Sequence, residues 1–199
     1  MKLLFATNNV HKLAELRAAV GNVLELVDLK SAQLEIDIAE PYDTLEANAS
    51  EKSRTIYRLT GLNCLSEDSG IEVAALQGAP GARSARFSGP NATAEKNITY
   101  LLGKMVTAID RSAQFRTVIS LIIDGREYLF EGLCKGTLST ENRGDGGFGY
   151  DPIFIPQGST KTFGQMSQEE KSQFSHRKKA GDKLITFLQE GSWSGNKEF

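Results

Sequence analysis

A chain of 199 residues that is 40% hydrophobic and 24% charged has the composition of an ordinary globular protein, long enough for one or at most two domains and an unaided core. A net charge of −2 and a pI near 5.8 argue against a nucleic-acid partner, because such proteins carry a basic stripe. Cys64 and Cys134 stand apart in apolar surroundings without CxxC spacing, so they read as reduced core residues, not as a zinc site or disulfide. The apolar start at Met1–Ala6 meets polar Thr7-Asn8-Asn9 too early for a signal peptide, and no run reaches transmembrane length. A soluble cytoplasmic protein with no membrane partner is expected.

In chain order, a short buried strand is predicted over Leu3–Ala6, ending at Thr7. A helix follows from Val10 to Val20, with Leu13, Leu16 and Val20 on one face and Gly21 as its stop. Leu24–Leu29 reads as a second strand. Asp43 with Glu46 three residues on resembles a capping box for a helix carrying Leu45, Ala49, Ile56 and Leu59 and ending at Gly61. Leu62–Leu65 and Ile71–Leu76 read as two strands interrupted by a polar, acidic elbow. A helix over Ala94–Met105 precedes a hairpin, Phe115–Ile123 and Glu127–Leu133, across the turn dipeptide Asp124-Gly125. Ser167 with Glu170 marks another cap, and the last helix runs over Ser175–Gln189. Crossover helices together with a hairpin predict an α/β protein with a mixed sheet, as one domain over residues 1–199.

Polar residues gather at the ends of these elements. Thr7-Asn8-Asn9-Val10-His11-Lys12 sits where the first strand gives way to the first helix. Backbone N–H groups there, with Thr and Asn side chains and a lysine one turn in, suit a phosphate; the same residues also read as an N-cap with a solvated lysine. Ser66-Glu67-Asp68-Ser69-Gly70 places two carboxylates directly after an apolar strand, in what should be a turn at the sheet edge. Such a pair can hold a hard divalent cation and leave one member to take a proton from water, although it also reads as an ordinary acidic turn. Glu40 is a further candidate metal ligand. Arg83 and Arg86, in a small-residue loop, either face an anion or are solvated.

Four glycines fall between Gly144 and Gly149, in a segment that continues through Tyr150 to Asp151 and Pro152. So many glycines are costly unless the backbone must approach something closely or adopt positive φ, and here they display Phe148, Tyr150 and Asp151. A flat ring and a hydrogen-bonding group could be gripped there. Lys171 and the run Ser175-His176-Arg177 complete the inventory. Cationic side chains opening a helix oppose its dipole, which points to an anion or a carbonyl acceptor as their partner.

Taken together and in order, Thr7–Lys12, Glu67–Gly70, Gly81–Phe87, Gly146–Pro152 and Ser175–Arg177 closely resemble the motifs of the inosine triphosphate pyrophosphatases, which are also called dITP/XTP pyrophosphatases. The resemblance spans nearly the whole chain. It implies an elongated mixed α/β fold with two lobes around a cleft, a homodimer, and Mg²⁺-dependent cleavage of non-standard purine nucleoside triphosphates to the monophosphate and pyrophosphate. Carried over by position, it implies that Thr7, Asn8, Asn9, Val10, His11 and Lys12 meet the triphosphate and that Asp68 is the general base and a metal ligand. Glu40 and Glu67 are further candidate metal ligands. Ser69 is implied to touch substrate, and Phe148, Gly149, Tyr150 and Asp151 to hold the base, with Phe148 stacking. Lys171, His176 and Arg177 are implied to contact base or phosphate. Bacterial members usually have Asp-Asp where this chain has Glu67-Asp68, which leaves the first acid's role open. Two other readings are a pyrophosphatase for modified pyrimidine nucleotides, like the septum-formation-inhibitor relatives, and a non-catalytic nucleotide sensor, which has no use for Glu67-Asp68.

Overall fold

In the computed structural model, which describes residues 1–191 and Trp193, the first apolar run forms β1 (Lys2–Phe5) and the first periodic segment forms α1 (Val10–Val20). Asn9 caps α1 by accepting the His11 and Lys12 N–H groups on its side chain, and Gly21 closes the helix at φ 56°. β2 (Glu25–Asp28) follows, then α2 (Leu45–Thr60). The cap of α2 is Thr44, whose hydroxyl accepts the Ala47 N–H, and not the expected Asp43. Asp43 instead pairs with Arg83 at 2.7 Å, because a residue one position outside the cap points away from the helix end.

The largest departure from the sequence reading lies in the acidic segment. The two expected strands and their elbow are one continuous strand, β3 (Cys64–Val73), and Ala74–Leu76 is a 3-10 turn, not strand. A 3-10 helix over Gly81–Arg86 and then α3 (Ala94–Lys104) precede the hairpin of β4 (Ser112–Ile123) and β5 (Arg126–Leu138). That hairpin turns at Asp124-Gly125 as expected, with both residues at positive φ, but its strands extend further than predicted. A short β6 (Phe154–Pro156), α4 (Gln168–Phe174) with the Ser167–Glu170 capping box, and α5 (His176–Gln189) complete the chain.

The six strands form one mixed sheet in the order β2-β1-β3-β4-β5-β6, parallel from β2 to β3 and antiparallel from β3 to β6. Side chains alternate between the faces of a strand. Ile119 of β4 packs with Leu16, Val20, Ala180 and Leu184, so α1 and α5 cover one face. Its neighbour Val118 packs with Leu45 and Ala49, so α2 covers the other. The long strands β3, β4 and β5 continue into a second core, where Ile71, Phe115, Cys134 and Phe154 meet Ile98 and Leu101 of α3. The two cores form the two lobes, and the acidic segment of β3 lies between them.

α5 reaches β5 at a glycine. A Cβ on Gly132 would lie 1.9 Å from the His176 carbonyl oxygen and 2.5 Å from the Ala180 nitrogen, so only glycine lets the first turn of α5 sit this close to the sheet. Among the described residues no helix is long and apolar enough to cross a membrane.

Candidate active site

Because the acids lie mid-strand, adjacent carboxylates point to opposite faces of the sheet. Glu67 is opposite Ile119 and Asp68 opposite Val118. Glu67 therefore turns toward α5, where Arg177 grips it through Nε (2.6 Å) and Nη2 (3.0 Å), with Lys12 at 3.3 Å and the Ser69 hydroxyl at 3.0 Å. Asp68 turns toward α2: its Oδ1 lies 3.4 Å from Lys52 Nζ, and its Oδ2 accepts from Asn48 at 3.2 Å. Lys52 also donates to Glu40 at 2.5 Å, so Asp68 and Glu40 share one ammonium. Glu67 does not join them, and its oxygens are occupied by other partners. Among the described residues no three His, Cys, Asp or Glu side chains gather to hold a metal ion.

The other end of the site is a buried charge network. Lys171, on α4, donates to Glu15 at 2.7 Å and to Asp151 at 2.6 Å. Arg177 bonds Glu15 as well as Glu67 and Ser69, so four of its five N–H groups are used within the protein. Arg177, implied by the resemblance to contact base or phosphate, thus also holds this network together while lining the cavity. Ser69 is similarly engaged: its hydroxyl donates to Glu67 and accepts from Arg177 and Thr117. Asp151 accepts the Phe148 N–H at 2.8 Å and so shapes the glycine loop from within. The Tyr150 hydroxyl donates to the Ser84 carbonyl at 2.8 Å, a tie across the cleft.

These residues converge on a cavity of about 230 Å³ lined by Asn9, Lys12, Glu40, Asp68, Ser69, Phe148, Gly149, Tyr150, Asp151, Lys171, His176 and Arg177, among others. Thr7, Asn8, Val10 and His11 are not in its wall. Thr7 accepts the Asn9 N–H, Asn8 reaches the Ile36 carbonyl, and Val10 is exposed. The His11 ring stacks on Phe148 at 5.1 Å and 15°, which places it with the aromatic loop. His176 is buried, stacks on Phe115 at 4.8 Å, and leaves its Nδ1 without a hydrogen-bond partner.

Sequence reasoning missed Glu15, Asn48, Lys52 and Thr117. For two of them a signal was present. The inward stripe of α2 runs Leu45, Asn48, Ala49, Lys52, Ser53 and Ile56, so an amide and an ammonium interrupt an apolar face at core spacing. Glu15 beside buried Leu16 is a weaker case of the same pattern, and nothing local marks Thr117.

Gly147 allows a testable reading of the loop. It sits at φ 74°, and a Cβ there would lie 2.1 Å from Asp151 Oδ2. Gly147→Ala should therefore cost about 1–3 kcal/mol of stability in urea unfolding, from left-handed strain and displacement of Asp151. A variant as stable as the parent would mean that the loop relaxes freely.

The model of the Ham1 family matches residues 3–187 of this chain. The chain belongs to the Ham1 family. A dITP/XTP pyrophosphatase of Porphyromonas gingivalis is 46% identical over 188 residues, covering 94% of this chain and 97% of that protein. One from Christiangramia forsetii is 42% identical, covering 94% and 99%. Among solved structures, the Ham1 protein of Staphylococcus aureus superposes with a TM-score of 0.87 at 35% identity, covering 96% of this chain and all of that one. A structure from Mycobacterium abscessus, titled nucleoside-triphosphatase / dITP/XTP pyrophosphatase, gives 0.76 at 37% identity, covering 94% and 99%.

In this Ham1 chain neighbouring acids of the site are shifted in opposite directions. Burial pushes the Asp68 carboxyl above its ordinary range, only partly offset by Lys52 and Lys12. Burial also opposes ionisation of Glu67, but the Arg177 and Lys12 charges outweigh it and hold the carboxyl down at about 2. For Glu40, Lys52, Lys12 and Arg86 outweigh burial, and the net shift is downward. Burial, reinforced by the Arg177 and Lys171 charges, lowers His176 well below its usual range, so its imidazole is neutral near pH 7. Glu67 is thus a fixed anion that holds Arg177, whereas Asp68 has the higher proton affinity that a general base needs.

Proposed function

We propose that this protein hydrolyses non-standard purine nucleoside triphosphates (ITP, dITP and XTP) to the monophosphate and pyrophosphate. One observation carries the reading: a single cavity joins a proton-accepting carboxylate, Asp68, beside lysines to a buried neutral imidazole with an unmatched Nδ1 beside an aromatic ring. The names of the relatives support the same reaction. The triphosphate lies toward Lys12, Lys52 and Asp68, and the base toward Phe148 and His176. Water attacks the α-phosphorus, the bridging P–O bond to the β-phosphate breaks, pyrophosphate leaves, and Asp68 takes the proton. Lys12 and Lys52 offset the charge that builds on the phosphate oxygens.

Mg²⁺ fits this reading, because such ions take one or two carboxylates together with substrate phosphates, and Asp68 and Glu40 form such an oxygen pair around Lys52. Bound there, it would supply charge neutralisation on the phosphates. At the base end, a neutral His176 presents one N–H and one bare nitrogen. A donor aimed at C6 satisfies the carbonyl of hypoxanthine or xanthine and confronts the amino group of adenine. The family resemblance adds a homodimer in the cytoplasm to the reading.

A panel of nucleoside triphosphates with Mg²⁺, assayed separately for pyrophosphate and for phosphate, tests it. ITP and XTP should release pyrophosphate with a kcat/KM about 10²- to 10⁴-fold above that for ATP, the range open to mismatched polar groups in a partly dry pocket. Equal turnover of ATP, preference for pyrimidines, or release of phosphate would each sink the assignment.

A further inference from the structure

Asn48 lies on α2 one turn before Lys52 and is fully buried. Its carboxamide makes three bonds. The Oδ1 accepts the Tyr42 N–H at 3.0 Å, and the Nδ2 donates to the Tyr42 carbonyl at 3.0 Å and to Asp68 Oδ2 at 3.2 Å. One side chain thus pairs with both backbone groups of a loop residue, as a neighbouring strand would, and places its remaining N–H on a carboxylate of the cavity. Helix capping does not account for this, because Thr44 caps α2. Tyr42 itself is exposed and lies two residues after Glu40. Lys52, one turn further along, bonds the other Asp68 oxygen and Glu40.

We propose that Asn48 is a positioning residue: its carboxamide fastens the loop bearing Glu40 to the strand bearing Asp68, and so sets how the two carboxylates stand about Lys52. The inference rests on the pyrophosphatase reading for its catalytic consequence, but not for the geometry. Without Asn48 the packing of α2 remains, while the loop loses both backbone anchors and Asp68 loses the donor that orients its Oδ2. Small displacements of reacting groups are costly, on the order of 10²-fold for about 1 Å.

Two measurements test it. In the wild-type protein, hydrogen exchange at the Tyr42 amide should be slowed at least tenfold relative to its exposed loop neighbours, and unprotected exchange overturns the clamp outright. In kinetics, Asn48→Ala and the isosteric Asn48→Asp should lower kcat for ITP by about 10²-fold. KM and the affinity for inosine monophosphate should stay within threefold. In an Asp68→Asn background, Asn48→Ala should cause a clearly smaller loss than in the wild type, since part of its effect passes through Asp68. A loss that adds fully in that background, or that travels with lost monophosphate affinity, assigns Asn48 a merely structural role. A wild-type protein that hydrolyses no nucleoside triphosphate overturns the pyrophosphatase reading while leaving the Tyr42 protection in place.

Discussion

Asp68→Asn is expected to lower kcat by about 10²- to 10⁴-fold, the usual scale for removing a general base. The fold should survive, for two opposing reasons. Burial already pushes the Asp68 carboxyl toward its neutral form, so removing the charge relieves a cost. Against that, a carboxamide can turn its oxygen to Lys52 or to Asn48 but not to both, leaving one donor facing another, at about 1–3 kcal/mol for an unmatched buried group. The melting temperature should therefore move by only a few degrees while pyrophosphate release collapses. Turnover at the wild-type rate with unchanged stability would remove Asp68 from the mechanism.

Arg177→Met should have the largest effect on stability. It removes the group that bonds Glu15 and Glu67 in the interior, which strips Glu67 of its principal cation and leaves Glu15 with Lys171 alone. Breaking a buried pair from one side costs about 3–5 kcal/mol, more than an exposed ion pair contributes. A pH dependence follows. The Glu67 carboxyl is held at about 2, against its ordinary 4.5. A carboxyl with a depressed folded-state pKa contributes stability that is present above the unfolded value and lost as pH falls through the folded one. The gap between wild type and variant should thus be widest near neutral pH and narrow between about pH 4.5 and 2. Urea unfolding at pH 7, 5 and 3 reads it; a pH-independent gap, or one below about 1 kcal/mol at pH 7, would show that the network does not carry that energy. Arg177→Ala, the natural test of base selectivity from sequence alone, accordingly perturbs the fold as well as the pocket.

Much of the frame was legible because its causes are local. The α1 stripe of Leu13, Leu16 and Val20, the Asp124-Gly125 turn and the Ser167–Glu170 capping box all act over a few residues, and the structure has them where the spacing put them. The site was legible as an inventory: of the residues singled out, Lys12, Glu40, Asp68, Phe148, Asp151, Lys171, His176 and Arg177 share one cavity. Their roles were less so. Glu67-Asp68 looked like one acidic site because adjacency in sequence suggests adjacency in space, whereas the pleat of β3 sends the two side chains to opposite faces. The same segment looked like a turn because two charges inside a central strand are prohibitive without partners.

By itself, then, the sequence determined the α/β class, the order of most elements, the helix stops and the cluster of chemistry-bearing motifs, since periodicity, capping and turn propensity depend on neighbours a few positions away. Only the tertiary structure decided which face each acid takes and which cation meets it. Arg177 lies 110 residues from Glu67, and Lys171 lies 156 from Glu15. Burying a charge is tolerable only when such a partner arrives from elsewhere in the chain, and no local pattern reports where that partner will be.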